Sequence, residues 1–150
     1  MQEPPLGRDL EDRLRRLNEI GAALSLERDL DTLLDRILLE ARRFTNADAG
    51  TLYLLQGQEL TFKLAQNDTL QLFSGGPHSP VDVPPVPLNE ESASGYAAVT
   101  GETLNIVDVY AEEAPQRFEG PRYYDSMTGY HSQSMLVVPM RDHEEQIIGV

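Results

Sequence analysis

The last 23 residues constrain the fold most strongly. After a Thr-Gly pair at 128–129, residues 135–140 alternate side chains in the manner of a β-strand. Residues 142–145 are polar and turn the chain into a second apolar run at residues 147–150. The pattern predicts a β-hairpin whose second strand is cut short at Val150. We therefore expect a module of a longer protein, in which that strand continues.

Composition narrows the class of protein. The 150 residues, 40% of them hydrophobic, suit one domain with one core. There is no cysteine, which excludes disulfides, thiolate metal sites and thiol nucleophiles. No apolar run is long enough for a membrane span or a signal peptide, so we expect a cytoplasmic location without membrane insertion. The net charge of −13 repels phosphate backbones, so nucleic acid is not an expected partner.

The first predicted helix, over residues 9–26, carries a narrow apolar stripe on a charged rod. The stripe has leucines at spacings of four, three and seven, with Gly21 in the missing position: Leu10, Leu14, Leu17 and Leu24. Two interpretations stay open. The stripe pairs with the same helix of a second copy, or it packs on its own domain.

A mixed order of elements follows. Asp29 or Asp31 caps a second helix, whose broad apolar face predicts packing on a sheet. Residues 49–65 predict a β-hairpin, and residues 67–87 are loop-like. The proline run at 84–87 is an edge strand or a polyproline ligand. Ser92 or Ser94 starts a short helix that ends at Gly101, residues 104–107 form a strand, and residues 108–130 are irregular.

No catalytic pattern is present. His78, His131 and His143 lack the spacing of a metal site and are expected at the surface, so the chain is not expected to be an enzyme. Residues 108–130 instead combine aromatic faces with hydroxyls and carboxylates, a mixture that suits a planar polar ligand. The candidate ligand-binding residues there are Asp108, Tyr110, Phe118, Tyr123, Tyr124, Asp125, Thr128 and Tyr130.

Several blocks, in this order, resemble the GAF family of cytosolic sensor domains: residues 30–34, 47–53, 98–110, 118–125, 128–130, 134–140 and 148–150. Residues 62–68 and 86–88 are similar to the GAF domain that precedes HD-GYP phosphohydrolases. The resemblance implies an α/β fold with a central antiparallel sheet of about six strands, in which the strand beginning at Ile147 is central. It also implies helices on one face that pair with a neighbouring copy, and a ligand cavity on the other face, partly covered by the helix near Tyr96.

These expectations combine into one functional hypothesis. Residues 1–28 form a signalling and dimerisation helix, and residues 29–150 form the sensor domain. The domain binds a small molecule non-covalently, with a cyclic nucleotide as one candidate, and relays its state through a homodimer to an attached output domain such as an HD-GYP phosphohydrolase. The alternative is a dimerisation and relay module without a ligand. The known cyclic-nucleotide signature of the family would lie beyond Val150.

Overall fold

The computed structural model describes residues 6–80, 83–111, 118 and 120–150. The elements are α1 (Leu6–Ser25), α2 (Leu30–Thr45), β1 (Ala49–Gln56), β2 (Glu59–Asn67), β3 (Leu72–Gly75), β4 (Val86–Pro87), α3 (Ala93–Thr100), β5 (Leu104–Ile106), α4 (Gly120–Thr128), β6 (Met135–Val137), β7 (Met140–Arg141) and β8 (Ile147–Gly149).

Side-chain caps fix the ends of α2 and α3. The Asp29 carboxylate accepts from the Thr32 amide at 3.0 Å, so Asp29 is the cap of α2. Ser92 caps α3 by accepting from the Gly95 amide at 3.0 Å. Gly101, with a φ of 72°, ends α3 in the left-handed conformation that glycine adopts at little cost. Of the two N-caps predicted for each helix, Asp29 of α2 and Ser92 of α3 are confirmed, and so is Gly101 as the residue that ends α3.

The main sheet has six strands, and all its pairings are antiparallel. Its order is β3-β2-β1-β8-β7, with β4 pairing a different part of β2. The predicted hairpin is β1 and β2, and the proline run forms the short strand β4 at the edge. Strand β8 lies between β1 and β7, and Tyr53 and Val150 exchange two backbone hydrogen bonds of 2.8 and 3.0 Å. The expected antiparallel α/β architecture is confirmed, as is the central place of the strand at Ile147.

A β-bulge changes which face of the sheet β2 presents. Leu52 pairs with Leu64 but Tyr53 pairs with Phe62, so Lys63 is the extra residue. Leu52 and Leu64 pack against Leu34 of α2, and alternation along β1 turns Tyr53 to the opposite face. The Phe62 ring lies edge-on to Tyr53, with ring centroids 6.2 Å apart. The bulge therefore directs Phe62 away from α2.

The hydrophobic core has two clusters. The one around Leu34 lies between α2 and the sheet, and the other lies on the opposite face of the sheet. Gly149 pairs with Met140, which packs on the α2 side, so the next residue, Val150, points to the other face. There it packs with Ala97 of α3, with Phe118 and with strands β5 and β6. The helices α2 and α3 thus cover opposite faces of the sheet.

Three sequence expectations are corrected. Residues 72–75 of the expected loop form β3, because their backbone completes the ladder on the free edge of β2. The segment 108–130 is not irregular throughout, since residues 120–128 form the helix α4. The single strand expected over residues 135–140 is two: β6 pairs with β5 in a separate two-stranded sheet, and β7 belongs to the main sheet. Pro139, which has no N–H to donate, lies in the break between them.

Helix α1 shows its leucine stripe to solvent. Leu10, Leu14 and Leu17 are 58%, 51% and 49% exposed, whereas Leu24 is partly buried. A groove of about 270 Å³ separates another side of α1 from α2 and is lined by residues that include Arg16, Ile20 and Arg36. Within the described residues no helix has the length and hydropathy to span a membrane.

Candidate functional site

The candidate site is a cap built from three segments of the chain. These are the turn at residues 108–111 after β5, the helix α4, and the stretch 129–134 that leads into β6. The amide of Val109 donates to the carbonyl of Gln133 at 2.7 Å, which joins the first segment to the third. The hydrophobic cluster of α3, β5 and β6 anchors the cap because β5 and β6 enter and leave it.

Asp125 of α4 ties the three segments together. Its side chain is only 7% exposed, and its Oδ1 accepts from the Ser132 hydroxyl at 2.8 Å. Its Oδ2 accepts from the Ser132 amide at 2.8 Å and from the hydroxyl of Tyr110. One buried carboxylate thus holds one residue from each of the other two segments.

The hydrogen bonds keep Asp125 ionised. Burial alone would raise the pKa of Asp125, but the bonds from Tyr110 and Ser132, together with the nearby His131, lower it below the usual aspartate value. The carboxylate therefore remains a charged acceptor at neutral pH. In this position it organises the cap, and its oxygens are already occupied by donors of the chain itself.

Tyr110 and His131 form a stacked pair beside this carboxylate. Their ring centroids are 5.0 Å apart and the rings are within 9° of parallel. Tyr110 is 40% exposed and His131 is also exposed, so the pair offers aromatic surface to solvent. Sequence reasoning placed His131 at the surface but missed this stacking, and it missed Ser132 entirely.

Tyr130 connects the cap to the start of β1. Its hydroxyl donates to Asp48 Oδ2 at 2.8 Å. Burial, then the hydrogen bond to Asp48 and the charge of that carboxylate, raise the pKa of Tyr130 to about 12. Hydrogen bonds from Thr69 and then from Tyr130 lower the pKa of Asp48. Asp48 was not among the predicted site residues, because its partner lies 82 residues away along the chain.

Tyr124 and Thr128 lie next to Tyr130. The rings of Tyr124 and Tyr130 meet edge to face at 6.2 Å, and Tyr124 is 40% exposed. The Thr128 hydroxyl donates to the Tyr124 carbonyl at 2.8 Å and accepts from the Tyr130 amide at 3.2 Å. Thr128 thus closes the end of α4 and sets the direction in which Tyr130 leaves it.

The remaining predicted residues occupy other places. Tyr96 and Phe118 form a second aromatic pair, with centroids 5.8 Å apart, in which Phe118 is buried and Tyr96 donates to Glu102 at 3.0 Å. Asp108 is exposed and accepts from the Tyr110 amide at 2.9 Å. Tyr123 belongs to α4, but its side chain lies outside the described residues.

The cap combines fixed polar atoms with partly exposed aromatic rings. In the part of the chain that the structure describes, no cluster of His, Asp and Glu could hold a metal ion. The structure brings Tyr110, Tyr124, Asp125, Thr128 and Tyr130 into one contiguous group and fixes their polar atoms by internal hydrogen bonds. The ring of Tyr124 is 40% exposed, whereas one face of the Tyr110 ring is covered by His131.

Known proteins share this architecture. The GAF domain family matches residues 29–150. A curated relative from Drosophila melanogaster, named dual 3',5'-cyclic-AMP and -GMP phosphodiesterase 11, is 30% identical over 153 residues, covering 93% of this chain. The chain spans about a tenth of that relative, 10% of its length.

Two solved structures show the same fold. The GAF domain of a phosphoenolpyruvate-protein phosphotransferase from Coxiella burnetii aligns with a TM-score of 0.64 and 17% identity, over 91% of this chain and 73% of that one. The free methionine-R-sulfoxide reductase from Neisseria meningitidis aligns with a TM-score of 0.58 and 19% identity, over 89% of this chain and 66% of that one. The chain belongs to the GAF family, a family of regulatory sensor domains.

Proposed function

We propose that this domain binds a small planar ligand at the cap and relays its state to an attached output domain. The observation that carries the proposal is the exposed ring of Tyr124, which lies edge to face with Tyr130 beside polar groups fixed by internal hydrogen bonds. Aromatic faces of this kind stack on planar ligands and contribute more than their buried area alone. Internal hydrogen bonds hold Tyr130, against which the Tyr124 ring rests, in place before a ligand arrives, which reduces the entropy lost on binding.

A cyclic nucleotide is the ligand to test first. Its base is planar and polar, and the Drosophila relative is named a dual 3',5'-cyclic-AMP and -GMP phosphodiesterase. The resemblance of residues 62–68 to the group preceding HD-GYP phosphohydrolases supports an output domain of that class. We place the sensor in residues 29–150 and the signalling helix in residues 1–28.

The binding experiment is a thermal-shift assay with cyclic AMP and cyclic GMP. Tyr124→Ala removes a ring face and should weaken binding by about 1–3 kcal/mol, which is roughly a 5- to 150-fold rise in Kd. Phe44→Ala is the matched control, because Phe44 is a similarly exposed aromatic residue, 42% exposed, on α2. Equal losses of affinity in the two variants, or stabilisation by ligand that does not depend on Tyr124, would place the ligand elsewhere.

We also propose that α1 pairs with the α1 of a second copy. Leu10, Leu14 and Leu17 are about half exposed, and residues of a different stripe, including Arg16 and Ile20, line the groove toward α2. This favours the first of the two interpretations of the stripe, since an apolar seam with no cover on its own domain gains most by pairing.

Light scattering tests the dimer. Replacing Leu10, Leu14 and Leu17 by serine should reduce the mass from two chains to one. The control replaces Arg13 and Arg15 of the same helix, whose ion pairs with Asp9 and Asp12 are exposed, by glutamine. A dimer that survives the serine substitutions would move the interface off α1.

One observation favours the alternative, a relay module without a ligand. The carboxylates of Asp125 and Asp48 and the hydroxyl of Tyr130 are already engaged in hydrogen bonds with the chain itself. A cap satisfied in this way could serve only to stiffen the domain. The alternative is favoured if the protein dimerises through α1, neither cyclic nucleotide shifts its thermal midpoint, and Tyr124→Ala has the same dimer mass as wild type.

A further inference from the structure

Arg42, in the last turn of α2, is a buried cation with unusual partners. It is 4% exposed, and its Nη1 donates to Gln66 Oε1 of β2 at 2.9 Å. Its Nη2 donates to the backbone carbonyl of Asp48 at 2.8 Å and lies 2.6 Å from the carboxylate of Asp68. Removing a charge from water is costly, so a guanidinium is retained in such a place only when its hydrogen bonds compensate.

Gly50 provides the space for this side chain. A Cβ at Gly50 would lie 3.2 Å from both Cγ and Cδ of Arg42 and 2.8 Å from Cδ1 of Leu38. The stem of Arg42 therefore passes directly over the backbone of β1. A Cβ at position 50 would therefore require Leu38 to shift and the stem of Arg42 to give by a few tenths of an ångström.

Asp48 is a junction with contacts in two directions. Its backbone carbonyl accepts from Arg42 and, at 3.0 Å, from the Asp68 amide. Its carboxylate accepts from the Tyr130 hydroxyl in the cap, and it is also hydrogen-bonded by Thr69. The same residue thus meets α2 through its main chain and the cap through its side chain.

Gln66, the hydrogen-bond partner of Arg42, also contacts α2 at a second residue, Asp35. Gln66 Nε2 donates to the backbone carbonyl of Asp35 at 2.9 Å and to its Oδ1 at 2.8 Å. Gln66 is 2% exposed and the Asp35 side chain is 22% exposed, so both bonds are partly buried. A continuous set of hydrogen bonds runs from Asp35 through Gln66, Arg42 and Asp48 to Tyr130, around the end of the main sheet.

We propose that Arg42 and Asp48 are positioning residues that couple Tyr130 of the cap to helix α2 on the opposite face of the sheet. The inference rests on the proposed ligand function. Through these contacts, a ligand that displaces Tyr130 would change the environment of α2, the helix next to α1. The contacts define the path, and a measured coupling between its ends is the test of it.

The first test is ¹⁹F NMR of the full chain with fluorotyrosine at its six tyrosines. Tyr130→Phe assigns the Tyr130 resonance by its loss. Arg42→Lys keeps the charge but not the two-pronged geometry, and it should shift the Tyr130 resonance while leaving Tyr53 unmoved. Arg43→Lys is the control, since Arg43 is the next residue, is exposed and pairs with Glu40. An unmoved Tyr130, or equal shifts of all tyrosines, would overturn the coupling.

The second test is a double-mutant cycle in urea without ligand. If the path couples its ends, the midpoint shift of Arg42→Lys with Tyr130→Phe differs from the sum of the single shifts; additive shifts refute it. Should Arg42→Lys not fold, Gly50→Ala crowds the stem of Arg42, and with it Leu38, without removing a polar atom. Because no ligand is used, additive shifts in a protein that still binds cyclic nucleotide would end the coupling alone. Coupled shifts without binding would end only the ligand proposal.

Discussion

The Asp125 carboxylate provides the sharpest test of how the cap is held. It accepts three hydrogen bonds, two from Ser132 and one from Tyr110, and it is 7% exposed. A hydrogen bond to a charged group is worth about 1.5–3 kcal/mol net. Asp125→Ala removes all three and should lower the free energy of unfolding by about 4 kcal/mol or more.

Asp125→Asn should cost much less, because of the chemistry of Ser132. The amide Oδ1 can accept from the Ser132 amide and the Tyr110 hydroxyl, and the Ser132 hydroxyl, which is both donor and acceptor, can rotate to accept from the amide Nδ2. All three bonds survive, but the acceptor is neutral. We expect a loss of about 1–2 kcal/mol.

Urea unfolding followed by far-UV circular dichroism measures both variants. With a slope of about 2 kcal/mol per M, the middle of the range for small proteins, Asp125→Asn should lower the midpoint by roughly 0.5–1 M and Asp125→Ala by roughly 2 M or more. Asp108→Asn is the control, since this exposed aspartate accepts one hydrogen bond in another segment of the same cap. If alanine and asparagine at position 125 prove equally destabilising, or both match the control, Asp125 does not hold the cap.

Three further outcomes are expected. The pKa of Tyr130 is raised to about 12, above the value of about 10 for an unfolded chain. The stability that Tyr130 contributes is therefore complete below pH ~10 and is lost as the pH rises toward 12. The difference in urea midpoint between wild type and Tyr130→Phe should shrink over that interval, and a constant difference would contradict this. Gly21→Ala should raise the helicity of α1 and increase the free energy of unfolding by about 0.5–1 kcal/mol, because nothing lies within 4 Å of a Cβ there. Gly75→Ala should instead lower the free energy of unfolding, because its φ is 74° and a Cβ would lie 2.1 Å from the Lys63 carbonyl oxygen. Ser92→Ala should cost about 1 kcal/mol through the lost cap of α3, and Ser94→Ala less than about 0.5 kcal/mol; the reverse order would make Ser94 the cap.

The sequence predicted elements with local signals and missed those that depend on distant partners. The caps Asp29 and Ser92 and the hairpin of β1 and β2 follow from patterns within a few residues, and all are confirmed. Helix α4 was missed because it begins with Gly-Pro and has no apolar stripe of regular spacing, so its position depends on Asp125 meeting Ser132.

The same distinction applies to the candidate site. Arg42 could have been found, because it follows Leu34 and Leu38 at four-residue intervals on the buried stripe of α2, where a cation must have partners. Asp48 could not, because nothing near it in the chain indicates that a tyrosine 82 residues later donates to it. His131 reads as a surface residue, and only the fold reveals that its ring stacks on Tyr110.

The break at residues 138–139 divides the β-structure into two separate ladders. On one side lies the pair β5–β6, and on the other lies β7 in the main sheet, while Pro139 between them has no N–H to continue the ladder. The cap is attached to the β5–β6 side at both of its ends, after Ile106 and before Met135. The cap and the β5–β6 pair therefore form one unit outside the main ladder, and the packing of Val150 and the hydrogen bond between Tyr130 and Asp48 join that unit to the main sheet.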